Sequence, residues 1–586
     1  MINLKNQKLV KYKNFLFQLT IFSTYLLHNL FYTFNVGNHW DTINQIFTGG
    51  RFVEKIKLTL TDQNNPLLSD FIGQEFYGSI YQGPLHIITT IFYQQKLGYS
   101  FLIDTGLVMN ETDYIFTVRH IFNQLYVLII FIFIFIILKQ SFSLKNVYLF
   151  TLGLMFFPSF TGHTLFNTLD IPFALHIFLA SIYFLTKISI KGQLNKFSKI
   201  EKLLVSFLFA CVLGIRANGF VFLAPLLIFY IYINYINQKD ETLKSLVVES
   251  FKILLITISL TYFFTPGAWI SPINYVNGIY EWQFQNDWNG TTLTNGEFIP
   301  GKNPKANYLI TWFFYKTPVI YLLFFLLSFL KKFSTKNYIE KYSIFFTVYV
   351  FSLHALFNPI SYDEIRHYLF LIPFLVVNFL VGFNFLIGIS SKLQNPILLI
   401  SLIYLFMTQF QLDHYKYTYL NELTSTQDIS IYCSENINGC GNWITDYYGI
   451  SGKEFVGLLD NHDISNLYVC APSKSVTPYL TRTKNFKHHD LFEIKNNIPV
   501  QNETFGYDQF EIIYSEGPFR NFLNSNMKNE FYTFSIHAPQ EIKDTCLFYL
   551  YPELKFDCKL EDSINRQFRG DKIYFSYLSS CTVTNF

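Results

Sequence analysis

The stretch Leu125–Leu138 reads LYVLIIFIFIFIIL, and no turn of a helix built from it would carry a polar face. A helix that is apolar all round must be surrounded by apolar material, and lipid is the natural surrounding for such a run. Comparable runs recur along the chain. Candidate spans fall at about 15–36, 121–138, 145–160, 171–186, 203–215, 219–236, 246–265, 309–330, 342–357, 367–389 and 396–410. Each is near the roughly 20 residues a crossing helix needs, though the fifth is short.

Composition agrees with this reading. Of 586 residues 51% are hydrophobic and 15% charged, and mean hydropathy is +0.24 although the last third is polar. Soluble domains carry roughly 25% charged residues. The expected class is therefore mainly α, a polytopic membrane helical bundle of about 11 spans over residues 1–410, with large loops at 37–120 and 266–308. The bilayer is its first partner. A net charge of +3 is too small to imply nucleic acid. The first apolar segment is long and lacks a small-residue cleavage site, so no cleavable signal peptide is evident.

Lysine placement predicts orientation. Lys5, Lys8, Lys11 and Lys13 precede the first span. Lys187, Lys191, Lys196, Lys199 and Lys202 follow the fourth, and Lys331, Lys332, Lys336 and Lys341 follow the eighth. Eleven spans with a cytoplasmic N-terminus put all of them on the cytoplasmic side. Residues 411–586 then form an extracytoplasmic domain, expected to be a small α/β unit. Ser451–Glu454 reads as a capping-box helix start, and the runs near 465–470 and 510–514 read as strands. Six of the seven cysteines (Cys433, Cys440, Cys470, Cys546, Cys558 and Cys581) lie there, as disulfides in an oxidising compartment would. The N-x-S/T sequons at Asn110, Asn289 and Asn502 map to the same side.

The residues able to carry chemistry gather at span ends on that side. Asp41 closes Gly37-Asn38-His39-Trp40-Asp41 after the first span; an interfacial polar residue is the plain alternative. Asp170 precedes Ile171-Pro172, where a helix start makes capping the competing role. Arg119 and His120 precede the second span. Arg216 interrupts an apolar stretch, and a charge at membrane depth costs roughly 2.5–3.5 kcal/mol on insertion scales, so it faces a cavity or a partner, or else snorkels. Asp363, Glu364, Arg366 and His367 cluster before the tenth span; an internal salt bridge would account for them equally. Trp269, Trp282, Trp288 and Trp312 bracket the 266–308 loop, suited to an interfacial belt or to sugar rings. Two carboxylates and several cations on one face suit sugar transfer from a polyprenyl phosphate. Cations hold the leaving phosphate, and a carboxylate takes the acceptor proton.

Several blocks resemble the GT-C superfamily, in particular the family 39 branch that includes protein O-mannosyltransferases and bacterial aminoarabinose transferases. Gly162-His163 … Asn167-Thr168-Leu169-Asp170-Ile171-Pro172-Phe173-Ala174 is similar to a Gly-His-x-x-x-Asn-Pro-Lys-Asp-Ile-Pro-Phe-Ala block. Asp113 … Arg119-His120, Asp363-Glu364-Ile365-Arg366-His367-Tyr368-Leu369-Phe370 and Asn421-Glu422-Leu423 … Asp446-Tyr447-Tyr448-Gly449-Ile450-Ser451 … Lys453-Glu454 resemble further blocks in matching order. The resemblance implies a GT-C-like fold and an inverting transferase. Asp41 would be base or substrate-orienting carboxylate, and Asp170 a supporting acid. Arg119, His120, Arg216, Arg366 and His367 would be the donor-phosphate contacts.

Thr42 stands where the usual pair is Asp-Glu, and Thr168-Leu169 replace Pro-Lys. The terminal domain does not resemble the sugar-binding domain of eukaryotic protein mannosyltransferases. Two carboxylates could share a divalent metal, but no metal-ligand spacing appears, so no cofactor is expected. The expected donor is a polyprenyl-phosphate sugar; these departures from the family pattern leave the sugar and the acceptor, whether protein, lipid or glycan, open. A polyprenyl-linked glycan transporter or flippase, or a non-catalytic membrane scaffold, are the alternatives.

Overall fold

The computed structural model describes residues 2–39, 41–68, 79–236, 243–284, 290–331, 337–430, 441–462, 464, 467–469, 475–476, 478–479, 494–495, 498–499, 531–536 and 555–585. The Leu125–Leu138 run forms the second half of a helix over Glu111–Leu138. Val127, Ile130, Phe131, Ile134 and Leu138 are buried in the bundle, while Ile129, Phe133 and Ile136 are each 51% exposed on the other side. An outward face of large aliphatic and aromatic side chains is what lipid, and not water, would cover. The protein is an integral membrane protein.

Helices run through all the expected span segments, but with breaks. Among the described residues, Glu111–Leu138, Asp170–Lys191, Lys244–Phe263 and Arg366–Ile389 are each long and apolar enough to cross a bilayer. The third expected span is split into Leu144–Met155 and Pro158–Thr164. The eighth is not straight: Tyr308–Lys316 and Val319–Ser328 meet at 118° and pass as one span only together. Pro318 causes this break, since it has no N–H to donate and clashes with a continuing helix. Carbonyls freed at such a bend must find donors within the protein. Here the Asn421 side-chain amide supplies them, donating to the carbonyls of Phe314 (2.6 Å) and Thr317 (2.8 Å).

Asp170–Lys191 is the central helix, buried along nearly its whole length. The first of the two large loops, 37–120, contains helices Thr42–Thr61 and Ser79–Gln94. The second carries an antiparallel hairpin, Thr291–Thr294 with Glu297–Pro300. Trp312 sits against it, fully buried, with its indole N–H on Thr294 Oγ1 (3.1 Å) and its ring edge against Trp443, so it is a core residue and not part of an interfacial belt. Trp288 lies outside the described residues.

Beyond the last span, residues 413–430 and 441–459 pack back onto the end of the bundle that carries Gly37 and Gly162. Two glycines permit this. A Cβ on Gly162 would sit 2.1 Å from the Tyr417 nitrogen, and one on Gly37 would sit 2.2 Å from the Ile450 carbonyl oxygen. A four-stranded sheet follows in the order Leu467–Val469, Phe531–Ser535, Asp571–Asn585, Lys555–Phe568, its first pair parallel and the others antiparallel. Cys558 and Cys581 face each other across the last pair and form a disulfide. The other four terminal cysteines, the expected strand at 510–514 and the sequons at Asn289 and Asn502 lie outside the described residues. Asn110 caps the Glu111 helix and donates to the Pro478 carbonyl, so its side chain is already engaged. The helix starting at Gly452 forms, but Ser451 makes no side-chain cap; Asp446 takes the Ile450 and Ser451 N–H groups instead.

Candidate active site

Asp41 occupies the N-cap position of the Thr42–Thr61 helix yet makes no cap hydrogen bond. Its carboxylate turns to Arg366, whose Nη1 lies 3.3 Å from Asp41 Oδ2 and 3.1 Å from Asp363 Oδ2. One guanidinium nitrogen thus joins two carboxylates from parts of the chain 322 residues apart (363 − 41). Arg366 Nε donates to His367 Nε2 (3.2 Å), and the guanidinium lies over the rings of Tyr362 (4.7 Å) and Tyr448 (5.3 Å).

Asp170 is the first residue of its helix, but it does not cap it. Asn167 does so, its Oδ1 accepting from the Leu169 and Asp170 N–H groups. The Asp170 carboxylate is therefore free to pair with Arg216, while Asn167 Nδ2 donates to Asp170 Oδ2 (3.0 Å) and to the Tyr448 hydroxyl (3.2 Å). Tyr448 links the two halves: it contacts Asn167 by its hydroxyl and Arg366 by its ring face. Burial raises the Asp363 carboxyl to about 6; Arg366 opposes this, and Asp41 and Asp170 reinforce it. Asp41 and Asp170 therefore both lie within electrostatic reach of Asp363.

Asp41, Asp170, Arg216, Arg366 and His367 are thus brought together. Arg119 and His120 are set back. Arg119 is fully buried, and its Nη2 donates to Gln82 Oε1 (2.7 Å). Gln82 in turn donates to the Thr168 carbonyl (2.8 Å), and the Thr168 hydroxyl donates to Gln45 (2.5 Å). Arg119 thus reaches the Asp170 turn through Gln82 and Thr168. His120 is buried behind it, with no hydrogen-bond partner for either ring nitrogen among the described residues. His39 lies between Phe166 and Tyr448; burial, then Arg366 and Arg119, pull it down to about 3, so it stays neutral.

Exposure separates the acids. The Asp41 side chain is 33% exposed, against 7% for Asp170 and 8% for Asp363. Among these paired carboxylates and arginines, Asp41 is the most exposed. No group of three or more His, Cys, Asp or Glu among the described residues is arranged to hold a metal ion.

Sequence reasoning placed Asp363 and Glu364 in a charged cluster that an internal salt bridge would also explain, and it did not single out Asn167, Tyr448 or Lys316. Asn167 and Tyr448 sit inside blocks already set out, Asn167 in the one that holds Asp170 and Tyr448 in the one that follows Asn421. Lys316 had its own signal, a lone charge inside an apolar span. Its Nζ lies 2.5 Å from Glu364 Oε2, with both side chains fully buried.

No protein-family model and no curated protein matches the chain. Among solved structures, the chain is similar to ArnT from Cupriavidus metallidurans in the apo state and bound to undecaprenyl phosphate. Sequence identity is 11% in both cases, and TM-scores are 0.45 and 0.44. The alignments cover 96% of this chain and 97% and 98% of those chains.

Proposed function

We propose that the protein is a membrane glycosyltransferase of GT-C type that moves a sugar from a polyprenyl-phosphate donor to an acceptor hydroxyl on the extracytoplasmic side. The observation that carries this is a cluster of three carboxylates and two arginines at one end of an apolar bundle, open to solvent chiefly at Asp41. The acceptor oxygen attacks the anomeric carbon as the bond from that carbon to the phosphate oxygen breaks. The proton passes to Asp41, and the electron pair leaves with the lipid phosphate. A single displacement of this kind inverts the anomeric centre.

Each group has a role in that step. Asp41 is the base, because it is the most accessible of the three acids. Arg366 and Arg216 take the charge that grows on the phosphate, with His367 beside them. Asp170 keeps Arg216 in place. Arg119 and His120 act from behind: Arg119 holds Gln82 and hence the Thr168–Asp170 turn. A flippase would need polar groups along a path through both leaflets, whereas these gather at one end.

Purified protein in lipid nanodiscs, given polyprenyl-phospho-sugars labelled in the sugar and a membrane extract as acceptor, should release free polyprenyl phosphate and a labelled product. Movement of the intact lipid-linked sugar between leaflets without label transfer would reject the reading in favour of transport.

A further inference from the structure

Behind the site lies a second ion pair that the proposed chemistry does not use. Lys316 is the last residue of the helix that breaks at Pro318, and Glu364 sits in the turn before Arg366. Neither side chain is reachable by solvent. The turn they meet at is unusual: Asp363 and Glu364 have φ values of +53° and +65°. For residues other than glycine the left-handed region is strained, and it persists only where the surroundings over-determine it.

Those surroundings can be named. The Asp363 N–H donates to Thr292 Oγ1 (3.0 Å) in the outer hairpin, and the Glu364 carbonyl accepts from the Tyr308 hydroxyl (3.1 Å). Upstream, the Ser361 N–H reaches the Gly301 carbonyl (3.0 Å). The Glu364 carboxylate is clamped by Lys316, whose ammonium also donates to the Tyr417 carbonyl (2.9 Å). Besides the Asp363–Arg366 pair within the turn itself, the charged anchor among these contacts is the Lys316–Glu364 pair. It lies one residue from Asp363 and two from Arg366, the groups that meet Asp41.

We propose that Lys316 and Glu364 are positioning residues for the transfer reaction: their buried ion pair fixes the left-handed Asp363–Glu364 turn, and so the direction from which Arg366 meets Asp41 and the donor phosphate. The inference rests on the transferase reading above. Removing one partner alone would strand a buried charge, so the neutral double variant Lys316→Met/Glu364→Gln is the cleaner probe.

In the nanodisc assay, wild type and Asp41→Asn are run beside the double variant, with thermal melting in detergent to confirm folding. The expected result is a folded double variant whose kcat falls at least about 10-fold while its KM for donor stays within about 3-fold, because the pair touches no substrate. A folded double variant with wild-type kcat overturns the inference and leaves the transferase reading standing. Absence of transfer by the wild type, or transfer by Asp41→Asn at the wild-type rate, overturns the reading itself. Should the double variant not fold, Glu364→Asp, which keeps the charge and shortens the arm by one methylene, is held to the same thresholds.

Discussion

The two ends of the central helix Asp170–Lys191 carry ion pairs of the same chemistry and different settings. At the first end Asp170 and Arg216 are 7% and 13% exposed, and the nearby Asp363 and Arg366 are both 8%. At the other end Lys187 pairs with Glu201 (3.1 Å) and Lys191 lies 3.8 Å from it, at 21% and 39% exposure. Solvent-exposed pairs contribute about 0–1 kcal/mol each and are screened by salt. Buried ones cost desolvation that only good geometry and further hydrogen bonds offset. The lysine-rich end follows rules of topology, where cations collect on one side of a membrane. The acidic end burdens the fold with buried charge, and that expense to stability is what the proposed transfer chemistry would account for.

The sharpest way to break this comparison is Asp41→Asn. General bases contribute typically 10²- to 10⁴-fold. Because Asp41 is a third exposed and makes no cap, transfer should drop by about 10³-fold while the melting temperature barely moves. Activity at the wild-type level would empty the acidic end of its chemical meaning. Next comes Asp170→Asn, which leaves the Arg216 guanidinium without its carboxylate. Breaking a buried pair from one side costs about 3–5 kcal/mol, so this variant should melt markedly lower as well as lose transfer. A neutral effect on melting would place Asp170 in the same class as the lysine-rich end.

Much of this contrast was legible in the sequence. The apolar runs marked where helices form, because a run with no polar face has one kind of environment open to it. Asp41, Asp170, Arg216 and Arg366 stood out as charges at the ends of such runs. What could not be read was the chain's return. Tyr448 reaches the site because Gly162 and Gly37 let the chain at Tyr417 and at Ile450 approach backbone to backbone, and no local pattern announces a contact between residues 167 and 448. The bend at Pro318 was hidden for a related reason: apolarity continues through it, and Asn421, far downstream, repairs its carbonyls. The capping box at Ser451 failed because Asp446, folded close by, took the Ser451 N–H that Glu454 would have accepted, while the Glu454 carboxylate pairs with Arg566.

A subtler test uses pH. Asp363 titrates at about 6 in the folded protein, chiefly through burial, whereas an unfolded aspartate titrates near ~3.9. Between these values the folded state binds the extra proton. Stability from this group is therefore full below about pH 4 and is lost as pH rises through 6, on the order of 2–3 kcal/mol. Asp363→Asn is neutral at every pH and should flatten that part of the melting-temperature curve. An unchanged slope between pH 4 and 6 would mean that Asp363 is solvated like an ordinary surface acid.

The smallest effect belongs to the other end. Lys187→Met removes an ammonium that is 21% exposed and leaves Glu201 with its capping box to Ser198 intact. Glu201 would still accept from the Ser198 backbone N–H (2.8 Å), so the loss should stay within about 0.5 kcal/mol and transfer should be unaffected. The measurement is a melting curve at low and at high salt. A pair that matters only through exposed Coulomb attraction fades as the screening length shrinks, so the wild type and the variant should converge at 1 M salt. A gap that persists there would mean that the lysine-rich end, like the acidic one, holds charges in a setting that water does not reach, and the division between the two ends would fall.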